Sequence, residues 1–226
     1  MKISVRAETK ELTKWMSATQ KQYIPRAIEF ALNETAYKTS MTMRAELGKY
    51  VDRPNPYTLK GLQYKKADAR KGVFESKVGF VSPTFIPARP PPGTFPANYM
   101  HYLWKGGTRA PKKQYIPVPT KKLKLNKYGN MPRFKIKNLL GNKNYFQAEF
   151  NGKPGIFKRN RRNPPDMVIG YEKSAQYSPQ YPFAGEAQKN FRKYYAKSFD
   201  KFLGEVLTRK GLNYKSRYKI LEAKGY

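Results

Sequence analysis

The chain has 226 residues, enough for one or two domains with a real core. Lys and Arg number 46 against 15 Asp and Glu, a formal net charge of +31, while 15% of residues are aromatic. The aromatics exclude a disordered basic tail, and the absence of Cys excludes disulfides, thiolate catalysis and thiolate metal sites.

Self-repulsion at this charge destabilises a compact monomer, and a polyanionic partner relieves it. Nucleic acid is the expected partner, because neutralising its phosphates also releases counterions. No apolar run approaches a membrane span. Met1 to Lys10 is charged along its length and has no signal-peptide core. A soluble intracellular product without a membrane partner is therefore expected.

In chain order, Thr9 to Tyr23 reads as an amphipathic helix, with Leu12, Trp15, Met16, Thr19 and Tyr23 at helical spacing and Thr9 as cap. Pro25 is expected to open a second helix, whose face of Ile28, Ala31, Leu32, Thr35, Ala36 and Met43 is rich in small residues; Gly48 suits its end. Val51 to Leu62 is turn-rich. Strands are predicted at Leu62 to Tyr64 and Val73 to Val81, joined by the basic connection Lys65 to Gly72. In the second strand, Phe74, Val78 and Phe80 share a face. Six prolines make 82–98 an extended arm, unfit for a helix interior or a central strand. A short aromatic element, Tyr99 to Trp104, follows. Gly106-Gly107 then breaks the chain, and Tyr115 to Val118 is a short strand.

Between His101 and Gly170 there are 17 Lys and Arg and 2 acids. Residues 120–165 read as a basic β insertion, with strands at Phe134 to Ile136 and Tyr145 to Phe150 and turns around Asn142, Asn144, Gly152 and Gly155. Pro182 to Lys210 is a helix with a stripe of Phe191, Tyr195, Phe199, Phe202 and Val206, ended by Gly211. Leu212 to Tyr226 is a short helix or a frayed tail. The expected fold is a single α+β domain over 1–226, a small antiparallel sheet packed by two N-terminal helices and one C-terminal helix.

Catalytic chemistry finds little support. His101 stands beside Tyr102 and Trp104 with no acid near in sequence, a poor metal site and an unoriented base. Gly106-Gly107-Thr108-Arg109 lacks the Lys-Ser/Thr end of a phosphate-binding loop. Asp52, Asp68, Asp166 and Asp200 are isolated, which argues against a two-metal nuclease. No catalytic, cofactor or metal residue is assigned, and no enzymatic activity is expected.

Three basic clusters suit phosphate contact: Lys112 and Lys113; Lys121, Lys122, Lys124 and Lys127, with Leu123 and Leu125 between them; and Arg159, Arg161 and Arg162 within Lys158 to Arg162. None sits on a base-reading motif, so contact with the backbone rather than with sequence is expected. Tyr128, Phe134, Tyr145 and Phe146 either stack on unpaired bases or form the core of a small sheet; their strand-like alternation favours core. The proline arm either docks on a neighbouring subunit or covers its own domain.

The run Ala27-Ile28-Glu29-Phe30-Ala31-Leu32-Asn33-Glu34-Thr35-Ala36 resembles the opening helix of bacteriophage minor tail and tail-completion proteins, including the minor tail protein Z group. The closing Tyr181-Pro182-Phe183-Ala184 is similar to the element before the last helix of that family. Tyr102-Leu103-Trp104-Lys105-Gly106-Gly107-Thr108 is similar to a segment of head–tail joining proteins. The resemblance implies a structural virion protein at the head–tail junction, assembled in the host cytoplasm, with no catalytic residues. It implies a homo-oligomeric ring, expected sixfold, around packaged double-stranded DNA, with adaptor, terminator or portal proteins as neighbours. Pro87, Pro90, Pro91, Pro92, Phe95, Tyr102 and Trp104 are then the candidate oligomer interface. The alternative is a cellular nucleic-acid-binding protein without sequence specificity.

Overall fold

The computed structural model describes residues 17, 19–85 and 95–209. Its helices and short antiparallel strands make an α+β chain. They gather into two compact units, where the sequence leads one to expect a single domain. Of the described residues, the first holds those up to 45, 62–85 and 184–209, the second 46–61 and 95–183.

In the first unit, helix α1 (Ile24–Glu46) buries Ala27, Ala31, Thr35, Ala36, Thr39, Ser40 and Met43, a stripe that repeats every four residues or so. Pro25 does not open a separate helix. A π-helical turn, Thr19–Tyr23, runs directly into α1. The widened turn accommodates a ring that supplies no donor and crowds the preceding carbonyl. Of the predicted first helix, residues 9–16 and 18 lie outside the described residues.

Strands β1 (Leu62–Lys65) and β2 (Lys77–Phe80) form an antiparallel hairpin in the register Leu62↔Phe80 to Lys65↔Lys77. The predicted strand from Val73 is shortened. The Asp68 carboxylate accepts from the Arg70 N–H at 3.1 Å, and Gly72 at φ +68° closes a 3-10 turn, Ala69–Lys71. This loop leaves Val73 and Phe74 exposed, so Phe74 does not share the packing of Phe80, which is buried. Helix α5 (Phe183–Arg209) meets α1 through Phe30 and Phe202, with ring centroids 5.5 Å apart, and through the Thr42 and Tyr194 hydroxyls at 2.9 Å. Along α5, Phe191, Tyr195 and Phe199 stack at helical spacing. Gly211 and the tail lie outside the described residues.

In the second unit, the turn-rich stretch contains helix α2 (Pro56–Gly61), where the Asn55 side chain accepts from the Thr58 N–H at 2.8 Å. The aromatic element is helix α3 (Ala97–Lys105). Gly106 follows at φ +67°, and a Cβ there would meet the Tyr177 carbonyl oxygen at 2.9 Å. Strand β3 (Gly107–Arg109) pairs with β8 (Ala175–Tyr177). A second, four-stranded antiparallel sheet has the order β4-β7-β6-β5, from β4 (Ile116–Pro119), β5 (Tyr145–Phe150), β6 (Lys153–Lys158) and β7 (Asp166–Glu172). Residues 120–165 thus supply β5 and β6 of this sheet.

The predicted strand at Phe134 to Ile136 is instead the entry to helix α4 (Lys135–Leu140). Ile136 and Leu139, three apart on a helix, turn into the core formed by Leu123, Leu139, Ile156, Val168 and Ile169, while Phe134 stays 62% exposed. Of the arm, residues 86–94 lie outside the described residues; Phe95 is half-buried and Pro96 buried. Among the described residues no helix is long and apolar enough to cross a membrane.

Candidate nucleic-acid interface

Antiparallel pairing decides which basic residues meet. Pro119 pairs with Ile169, Asp166 with Lys158, and Lys158 with Tyr145. The C-terminal ends of β4 and β6 and the N-terminal ends of β5 and β7 therefore lie at one end of the sheet. Lys121, Lys122 and Lys124 follow β4, Arg159, Arg161 and Arg162 follow β6, and Lys143 precedes β5. All of these side chains are exposed. Two clusters that are remote in sequence thus form one basic rim.

Local contacts hold the rim in place. The Thr120 N–H donates to the Val168 carbonyl at 3.0 Å and its hydroxyl to the Met167 carbonyl at 2.8 Å. Leu123 and Leu125 then turn into the core, which leaves Lys122 and Lys124 facing outward. The Asn126 side chain accepts from the N–H groups of Tyr128 and Asn130 and folds the turn that carries Lys127. Across the rim, the Arg159 N–H donates to the Asn144 carbonyl at 2.8 Å, its Nε to the Lys143 carbonyl at 3.3 Å, and its guanidinium lies 4.5 Å over the Phe146 ring.

Asp166 is the acid among these cations. The hydrogen bond from Lys122, then that from Asn160 and the charge of Lys158, hold its carboxyl below the ordinary carboxylate value. It therefore stays ionised and offsets one positive charge. An exposed pair of this kind contributes little to stability, and one carboxylate against the seven cations named leaves the rim strongly positive.

Lys112 and Lys113 are not part of this rim. They precede β4 and lie toward the opposite end of the sheet, at a recess shared with Tyr115, Ile136, Gln147 and Tyr171. The aromatics divide by strand parity. Tyr145 packs against the core, whereas Phe146 points to the other face and meets Phe157 at 6.1 Å. Tyr128 is half-buried, with the Lys127 ammonium 5.1 Å from its ring.

Of the candidate oligomer interface, Pro87, Pro90, Pro91 and Pro92 lie outside the described residues. The half-buried Tyr102 stacks on Tyr177 at 5.1 Å, and Trp104 lies 5.2 Å from Phe183. His101 is held locally, with Nδ1 3.1 Å from the Ala97 carbonyl and its ring 3.9 Å from that of Tyr102. Among the described residues no group of three or more His, Cys, Asp or Glu gathers to hold a metal ion.

Lys143 is the rim residue that inspection of charge clusters misses. It stands alone between Asn142 and Asn144, and its one signal is its place just before the legible strand β5. Comparison with protein-family models, curated proteins and solved structures finds no match, so the basic rim and the sequence carry the functional reading.

Proposed function

We propose that this chain is a structural nucleic-acid-binding and assembly protein that grips the phosphate backbone without reading sequence. The observation that carries this is the convergence of Lys121, Lys122, Lys124, Lys143, Arg159, Arg161 and Arg162 at one end of the four-stranded sheet. Lys supplies mobile point charges there, and Arg adds paired donors for phosphate oxygens. None of these seven residues lies on a helix, the element that enters a groove to read bases. The resemblance of the α1 motif supports a finer proposal: a tail-completion component at the head–tail junction of a bacteriophage, in a ring around double-stranded DNA. A ring would multiply the field of each subunit, and its closure needs a head-to-tail interface.

The test is duplex binding by fluorescence anisotropy across a salt series. Two unrelated duplex sequences should bind alike, with affinity falling steeply as salt rises. Replacing Arg159, Arg161 and Arg162 together by Ala should lower the salt slope by about 0.9 for each phosphate that is no longer neutralised. A variant that leaves both affinity and slope unchanged sinks the rim proposal. Mass photometry and negative-stain microscopy at two salt concentrations, with and without duplex, address the ring. Closed rings with a hole wide enough for a duplex favour the tail-completion role. A DNA-binding monomer favours the cellular alternative.

A further inference from the structure

The segment 120–140 sorts its side chains by polarity. Leu123, Leu125, Met131, Ile136 and Leu139 belong to the core that holds Ile156, Val168 and Ile169 of β6 and β7. The same segment carries seven Lys and Arg and no acid. Six of the seven are exposed and the other, Lys135, is half-buried. The layer that covers one face of the sheet is therefore apolar beneath and positive on its outer surface.

Helix α4 gives this layer a direction. Ile136, in its first turn, lines the recess that Lys112 and Lys113 share with Arg109, Gln147 and Tyr171. At its other end the Leu139 carbonyl accepts from the Asn142 N–H at 3.0 Å, and the chain passes through Lys143 of the rim into β5. Lys137 is exposed between the two. Strand β7 beneath covers the distance from rim to recess in seven residues, about 20 Å. Among the described residues no carboxylate lines the recess. Glu149 lies two residues beyond Gln147 on the same face of β5, one acid against the three recess cations, whereas Glu172 takes the opposite face of β7 from Tyr171.

Cations spread over this distance suit a straight polyanion. Duplex DNA has a persistence length of about 50 nm, so it is straight here. Each of its strands places a phosphate every ~3.4 Å, about six along the span. Resting on the nucleic-acid reading above, we infer that one duplex lies along this layer in the direction of the strands. The rim holds it at one end, Lys137 of α4 in the middle, and Arg109, Lys112 and Lys113 at the recess. The contacts are to phosphates, because α4 has six residues and is packed on its inner side, so it lies against the duplex instead of entering a groove. Two clusters at opposite ends of the sheet thus serve one ligand.

The experiment is anisotropy of a labelled duplex of about 12 base pairs, longer than the span, across a salt series on the full chain. Lys112→Ala/Lys113→Ala and Lys137→Ala should each weaken binding and lower the salt slope by about 0.9 for every phosphate released. Lys112→Arg/Lys113→Arg should retain both affinity and slope. A control with the same loss of charge on the β1–β2 connection, Lys65→Ala/Lys66→Ala, should leave the slope unchanged. Circular dichroism melts check that each variant is folded, and the titration should saturate at no more than one duplex per chain. Two duplexes per chain would mean that rim and recess hold separate molecules, and would overturn the inference, as would a control that lowers the slope as much as the recess variant. If the rim arginine variant loses affinity while the recess and α4 variants bind as the wild type does, the inference alone falls. If the wild-type chain binds no duplex, the nucleic-acid reading falls and takes the inference with it.

Discussion

Asn33 lies in the middle of the run that resembles phage proteins, and in this fold its work is structural. Its Nδ2 donates to the Ala67 carbonyl at 3.2 Å, and its Oδ1 accepts from the Ala67 N–H at 2.7 Å and the Ser76 hydroxyl at 2.8 Å. Asn33→Ala takes the side-chain donor from the carbonyl of buried Ala67 and leaves its N–H only the longer bond to the Ser76 hydroxyl at 3.2 Å, and should cost about 1–3 kcal/mol in a denaturant titration. A Cβ at Gly155 would collide with the Ile169 carbonyl oxygen, whereas one at Gly170 would make only ordinary contacts, so the two glycines predict a contrast by the same measurement. Gly155→Ala should cost about 1–3 kcal/mol through overpacking, whereas Gly170→Ala should be close to neutral. At Glu34, burial raises the carboxyl pKa, but the Ser198 hydroxyl and the Lys38 and Lys201 ammoniums, at 3.1 and 3.2 Å, outweigh it and leave it below 4.5. A depressed folded-state pKa gives stability that is present above the ordinary value and lost as pH falls through the folded one. Glu34→Gln should therefore cost about 0.5–1 kcal/mol at neutral pH. The loss should fade under acid, with a flatter stability profile below pH 4.5.

Among the elements, the loop after β4 ties stability to the proposed binding surface. Leu123 is 7% exposed and anchors the segment that carries Lys121, Lys122 and Lys124. Leu123→Ala should cost about 2–4 kcal/mol through the cavity it leaves and should also weaken duplex binding. Lys124→Ala should weaken duplex binding with no change in the unfolding midpoint. The elements also show what local pattern conveys. Helix α1 is long enough to display its period, and β5 occupies the span Tyr145–Phe150 that its composition suggests. Helix α4 has six residues, too few to show a helical period, and Phe134-Lys135-Ile136 alternates as a strand would. Strand β7 hides its period for a different reason. An irregularity in its pairing with β6, between Ile156 and Phe157, lets the consecutive Val168 and Ile169 both face the core.

For the whole molecule, a net charge of +31 opposes compaction, and anything that neutralises it in the folded state should stabilise the fold. The thermal midpoint should rise on adding duplex DNA and, more modestly, on raising salt; a midpoint lowered by duplex would count against a folded-state phosphate site. Sequence by itself determined the charge, the aromatic content, the lack of Cys chemistry and the elements whose faces repeat locally: α1, the β1-β2 hairpin, β5 and α5. Tertiary structure decided which cations stand together. Lys143 and Arg159 meet through a hairpin, and Lys122 and Asp166 through the pairing of β4 with β7. It also decided that Lys112 and Lys113 stand apart, and that Ala148, Gly155, Gly170 and Val118 lie in one row across four strands. The physical reason is range. Periodicity is written in neighbours along the chain, whereas a rim or a row across strands exists only once the register of distant strands is set.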